Sequence, residues 1–117
     1  MTKVLVVDDD PTVLALIKTK LERDNKFVVF EAHNGKDALG LAESQQPDVV
    51  LCDMDMPNMD GAAVANALER NKATSGIPVI FLAVGGGPGT SSGKWPTVSK
   101  SAPPDQLINA IEKSCRR

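Results

Sequence analysis

Short apolar runs rich in β-branched residues recur along the chain, and stretches whose apolar residues repeat every three or four positions separate them. This alternation limits the fold more than any single residue. A strand that is apolar at nearly every position must be covered on both faces, and the amphipathic stretches between such strands are the natural cover. Residues 3–7 form the first run. Asp10 offers a cap and Pro11 suits the first helical position, so a helix is expected from residue 11 to about 23, with Val13, Leu14, Leu16, Ile17 and Leu21 on its apolar face. Residues 27–30 make a second strand. Asn34 caps a helix containing Ala38, Leu39, Leu41 and Ala42, which Pro47 ends. Residues 49–52 make a third strand, and a loop follows over 53–60. A third helix runs from 62 to about 70 with Val64, Ala65 and Leu68 facing inward. Residues 79–84 make a fourth strand and Val98 marks a short fifth. The last helix spans 104 to about 115 and carries Leu107, Ile108 and Ile111. The reading is α/β: a three-layer, doubly wound, five-stranded parallel sheet. Right-handed crossovers leave 2-1-3-4-5 as the common strand order, with ligands outside the carboxyl ends of the first and third strands.

Residues 85–104 break the pattern. They hold five of the nine glycines and four of the eight prolines, too many for a helix of ordinary length. An irregular or shortened fourth helix is expected there. Its glycines do not fit a phosphate-binding loop, because Gly93-Lys94 is preceded at the required distance by Pro88 and followed by Trp95.

Composition removes several function classes. The 117 residues amount to one domain, 1–117, and 30 of them are Leu, Ile, Val or Phe, too many for a disordered chain. A net charge of −2 argues against general binding to nucleic acid or to an anionic membrane. Cys52 and Cys115 stand far apart with no neighbouring ligand cluster, which disfavours a disulfide scaffold or a zinc module. No signal peptide or membrane-length apolar run is visible, so the expected location is cytoplasmic.

The chemistry concentrates in acidic residues at two strand ends. Asp8, Asp9 and Asp10 follow the first strand; Asp53 follows the third, with Asp55 two residues on. In the expected order these carboxylates converge, and like charges a few ångströms apart repel unless a cation intervenes. A hard divalent ion such as Mg2+, which takes carboxylate, water and phosphate oxygens, is the natural partner. Helix capping accounts for an acidic triplet after the first strand, but not for a second acidic loop beside it.

The segment Val49-Val50-Leu51-Cys52-Asp53-Met54-Asp55-Met56-Pro57-Asn58-Met59-Asp60-Gly61 resembles the phosphoacceptor loop of two-component receiver domains. Val6-Val7-Asp8-Asp9 is similar to that family's metal-binding acid pair, Ile77-Pro78-Val79-Ile80-Phe81-Leu82 to its fourth strand, and Lys100 to its lysine after the fifth. The likeness spans essentially the whole chain and is weakest over 83–104. It implies a flavodoxin-like fold in which Asp53 accepts a phosphoryl group from a histidine kinase, a phosphotransfer protein or a small phosphodonor. It further implies that Asp8, Asp9, Asp53 and the backbone carbonyl of Asp55 hold Mg2+, and that Lys100 pairs with the phosphate. The chain would not be an enzyme beyond self-catalysed phosphotransfer and dephosphorylation. Its output would pass to a downstream protein or a covalently linked effector domain.

Several positions depart from the family. The usual Thr or Ser at the end of the fourth strand is Ala83, which removes one hydrogen bond to the phosphoryl group, about 1.5–3 kcal/mol for a charged acceptor. The next, usually small, residue is Val84, expected to crowd Asp53. Thr97 stands where an aromatic is usual, and the span from Ala83 to Lys100 is several residues short. Ser101 replaces a proline that normally follows a cis bond; before serine that bond costs about 3 kcal/mol, so trans is expected.

These losses motivate an alternative, a pseudo-receiver that binds partners independently of phosphorylation. A second rival is a haloacid-dehalogenase-like phosphatase, whose nucleophile motif resembles Asp53-Met54-Asp55. Pro57 departs from that motif, and Asp8 and Asp9 would stay unexplained. Among minor features, Trp95 is expected to pack on the sheet edge and His33 to lie in an exposed loop. Cys52 should point to the face opposite Asp53, and Met54, Met56 and Met59 should fill gaps around the loop. Arg116 and Arg117 suit the negative end of the last helix.

Overall fold

The computed structural model describes residues 1–23, 25–84 and 95–115. Its elements in chain order are β1 (Thr2–Val7), α1 (Pro11–Glu22), β2 (Phe27–Ala32), α2 (Gly35–Gln45), β3 (Val49–Asp53), α3 (Gly61–Arg70), β4 (Val79–Ala83), β5 (Thr97–Ser99) and α4 (Pro104–Ser114). All strand pairs are parallel, in the order β2-β1-β3-β4-β5. The expected α/β architecture and strand order are therefore those of the molecule.

Strand alternation sorts the apolar residues into two cores. Val4, Val6, Leu51, Ile80, Leu82 and Val98 face α1 and α4, where Leu14, Ile17, Leu21, Leu107 and Ile111 meet them. Leu5, Val7, Val50, Cys52 and Phe81 face α2 and α3, against Ala38, Ala42, Val64, Ala65 and Leu68. Each fully buried aliphatic side chain contributes about 1.5–3 kcal/mol.

Helix starts follow the expected chemistry. Asp10 accepts the N–H of Thr12 ahead of Pro11, Asn34 accepts that of Asp37, and Asp60 accepts that of Ala63. The end of α2 is set by Gln46, left-handed at φ 48°, just before Pro47.

Two placements differ from expectation. Leu16 is 49% exposed, because the buried stripe of α1 runs through Leu14, Ile17 and Leu21 and leaves position 16 off its edge. β2 continues two residues further than expected, since Glu31 and Ala32 still pair with Val6 and Val7; Glu31 is exposed on this edge strand. Residues 95–103 hold β5 and a turn with no helix. The rest of the expected irregular fourth helix lies outside the described residues, as do Arg116 and Arg117. No peptide bond among the described residues is cis, so the bond before Ser101 is trans. Trp95 packs edge-on against Phe81, ring centroids 5.6 Å apart. His33 is exposed, and Met54, Met56 and Met59 pack against the α2–α3 core.

Candidate functional site

Register brings the acidic residues together. Val7 pairs with Cys52 across β1 and β3, so the next residues, Asp8 and Asp53, emerge at the same level at the carboxyl edge. Asp9 joins them: one carboxylate oxygen from each of Asp8, Asp9 and Asp53 lies within 4.8 Å of the others. Asp8 and Asp53 are buried and Asp9 is exposed, so the group opens to solvent on one side. At that spacing each pair of ionised carboxylates repels by roughly 3–4 kcal/mol at an effective dielectric near 20.

Lys100 supplies one compensating charge. Its backbone N–H donates to the carbonyl of Ala83 at 2.9 Å, which anchors it just past β5. From there Nζ reaches Asp8 Oδ2 at 2.8 Å and Asp53 Oδ1 at 3.1 Å. Burial alone would lower the lysine's pKa, but its bonds to Asp8 and Asp53 outweigh that and raise it. The ammonium stays charged.

The carboxylates are held by the backbone as well. Asp8 Oδ1 accepts the N–H of Asp10 at 2.9 Å, and Asp53 Oδ1 accepts that of Asp55 at 3.2 Å. Burial raises the pKa of Asp53, and the Asp55 N–H and Lys100 only partly oppose it. Asp53 Oδ2 carries no hydrogen bond among the described residues. Asp55 therefore touches the site through its backbone, while its exposed carboxylate stands outside the cluster.

The donor set fits a small hard cation. With all three acids ionised, Lys100 leaves a formal charge of −2 beside hard oxygen donors. Asp8 Oδ2, fully buried, accepts no hydrogen bond apart from its ion pair with Lys100.

Gly61 has a role the sequence showed only as part of a motif. A Cβ there would lie 2.6 Å from the Asp53 carbonyl oxygen and 2.9 Å from Met54 Cα, so the start of α3 presses on the backbone that presents Asp53. Gly61 N–H donates to the Met54 carbonyl at 3.0 Å and closes the loop. Cys52 lies in the α2–α3 core, as expected; burial, with the nearby Asp53, Asp8 and Asp60 charges, pushes its thiol up to about 12. Val84, just past β4, is 84% exposed. β4 ends at Ala83, which leaves the next side chain in solvent.

Comparison with known proteins agrees with this geometry. The sequence profile of the response regulator receiver domain matches residues 4–112. Protein PilH of Pseudomonas aeruginosa is 39% identical over 82 residues, 70% of this chain and 67% of PilH. The transcriptional regulatory protein ResD of Bacillus subtilis is 38% identical over 85 residues, 73% of this chain but only 34% of ResD. For most such relatives the chain spans half of their length or less. Among solved structures, the chemotaxis protein CheY4 of Vibrio cholerae superposes with a TM-score of 0.84 at 26% identity, covering 97% of this chain and 98% of that one. An acid cluster at the switch point of a 2-1-3-4-5 sheet, met by a lysine from beyond β5, thus coincides with a family match along nearly the whole length. The chain belongs to the response regulator receiver domain family of two-component signalling proteins.

Proposed function

We propose that Asp53 is the phosphoacceptor. A carboxylate oxygen of Asp53 attacks the phosphorus of a phosphohistidine or small acyl phosphate, the P–N or P–O bond of the donor breaks, and an aspartyl phosphate forms. Oδ1 is held by the Asp55 N–H and Lys100, which orients the carboxylate and leaves Oδ2 as the nucleophile. Lys100 then pairs with the transferred group as a compact cationic donor. Asp8, Asp9, Asp53 and the Asp55 carbonyl would hold Mg2+, which supplies neutralisation of charge on the transferring oxygens. The donor in the cell would be a histidine kinase or phosphotransfer protein in the cytoplasm. The output would be a contact with a downstream protein or a linked effector domain.

The observation that carries this reading is the joint contact of Lys100 with Asp8 and Asp53 inside the three-carboxylate group. Incubation with acetyl phosphate and Mg2+ tests it. The protein should gain the mass of one phosphoryl group, and Asp53→Ala or chelation of the metal should abolish the gain. No gain at high donor concentration would leave a phosphorylation-independent binding module instead.

A further inference from the structure

The side chain of Met59 lies where Gly35, the first residue of α2, has none. A Cβ on Gly35 would stand 2.6 Å from Met59 Sδ and 2.8 Å from its Cγ, so the thioether occupies the notch that the glycine leaves. Gly35 has no positive φ, so contact with Met59, rather than backbone geometry, is what a side chain there would violate. The acceptor loop turns toward α2 to make this contact. Asn58 is left-handed at φ 72°, and the N–H of Met59 donates to the Pro57 carbonyl at 2.8 Å. Met59 is half-buried and packs with Met54 and Met56 on the α2–α3 core. Two residues on, the Gly61 N–H returns to the Met54 carbonyl at 3.0 Å, which closes residues 54–61 into a loop.

The Asp53 carboxylate depends on where that loop sits. The Asp55 N–H holds Asp53 Oδ1 at 3.2 Å, the long end of the hydrogen-bond range, so an outward shift of about half an ångström breaks the bond. A cavity of about 270 Å³ beside Lys36, Pro57 and Asn58 leaves room for such a shift. The Asp55 carbonyl, a metal ligand on the reading above, travels with the loop, and Mg2+ tolerates little departure from octahedral geometry. We propose that Met59 is a positioning residue: seated against Gly35, it fixes the acceptor loop so that the Asp55 N–H holds Asp53 Oδ1 and leaves Oδ2 to attack. The inference rests on Asp53 being the phosphoacceptor.

The rate of phosphorylation by acetyl phosphate at saturating Mg2+, with Mg2+ affinity and thermal melts measured alongside, tests it. A misplacement of about 1 Å can cost a hundredfold in rate; Met59→Ala frees the loop without forcing it aside, so a loss of about tenfold is expected, with Mg2+ affinity down about threefold. Met59→Leu, close in volume, should keep both near the parent values. Gly35→Ala should push the thioether out of its notch and slow the reaction by about threefold or more. The double variant Gly35→Ala/Met59→Ala should then react faster than Met59→Ala alone, because the new methyl enters the space that the thioether has left. A contact that only stabilises the fold would lower the melting temperature of Met59→Ala and leave its rate and Mg2+ affinity, measured well below the melt, at parent values; that result overturns the proposal. A double variant no faster than Met59→Ala overturns it too. If the unaltered protein gains no phosphoryl group at high acetyl phosphate concentration, the phosphoacceptor reading itself fails, and this inference with it.

Discussion

Lys100 Nζ lies 2.8 Å from Asp8 Oδ2, an oxygen that is fully buried and receives no other hydrogen bond. The contact joins the residue after β1 to the residue after β5, with β3 and β4 between them. It makes the lysine the internal counter-charge of the acid group. Removing it leaves the carboxylates facing one another. The expected result for Lys100→Ala is a loss of about 1–3 kcal/mol of stability at low ionic strength, below the range for a fully buried pair because the lysine is partly exposed. Mg2+ should recover more stability in this variant than in the parent. Thermal melts with and without the ion check both statements; equal Mg2+ effects on the two proteins would contradict the assignment of Lys100 as counter-charge.

Glycine substitutions should rank by what a new Cβ meets. At Gly40, inside α2, nothing lies within 4 Å, and alanine there should stabilise by about 0.5–1 kcal/mol through its better helix propensity. At Gly35 the Cβ would meet Met59 Sδ at 2.6 Å, a flexible side chain that can turn aside at modest cost. At Gly61 it would meet backbone, and Gly61→Ala should cost about 1–3 kcal/mol. That variant should also slow phosphorylation of Asp53, because the carbonyl it pushes belongs to the acceptor residue. Denaturant melts and the acetyl phosphate reaction measure the series. A Gly61→Ala protein as reactive as the parent would show that the close approach does not position Asp53.

Much of this site was legible in the sequence for a topological reason. Once the order 2-1-3-4-5 is inferred, Asp8 and Asp53 must emerge side by side, because their strands are neighbours and both point the same way. The contact of Lys100 with Asp8 was not legible: it depends on where the residue after β5 comes to lie, and no periodicity encodes that. Gly61 stands in the sequence only as the last residue of the loop motif, whereas its constraint is steric and comes from α3 folding back on the Asp53 carbonyl. The apolar run suggests a strand through Val84, but β4 ends at Ala83 and the Val84 side chain turns to solvent.

The two cysteines should separate in reactivity. Cys52 is fully buried and its thiol is pushed up to about 12, so alkylating reagents near pH 8 should modify Cys115 and spare Cys52 until the protein unfolds. The same shift has a stability consequence. Above the ordinary thiol range near 9 the unfolded chain loses this proton while the folded protein keeps it, up to about 12. Stability attributable to Cys52 therefore falls as pH rises through that window, by up to about 1.4 kcal/mol per unit. The difference between the parent and Cys52→Ala isolates it from lysine titration. A difference independent of pH between 9 and 11 would contradict the burial-driven shift.

Asp8 and Asp9 are adjacent but should fail differently. Asp8 is buried, accepts the Asp10 N–H and pairs with Lys100, so Asp8→Ala deletes two native contacts and leaves Lys100 with Asp53 alone. A cost of about 2–4 kcal/mol is expected. Asp9 is exposed and, among the described residues, makes no ion pair, while one of its carboxylate oxygens lies within 4.8 Å of the two buried acids. Asp9→Ala should change stability by no more than about 0.5 kcal/mol without metal, or raise it slightly as repulsion is relieved. Yet both variants should weaken Mg2+ binding, because each removes one of three carboxylates. Mg2+ titration alongside melting separates metal affinity from folding. If Asp9→Ala bound the ion as tightly as the parent, Asp9 would be an ordinary solvated acid and the metal group would shrink to Asp8 and Asp53.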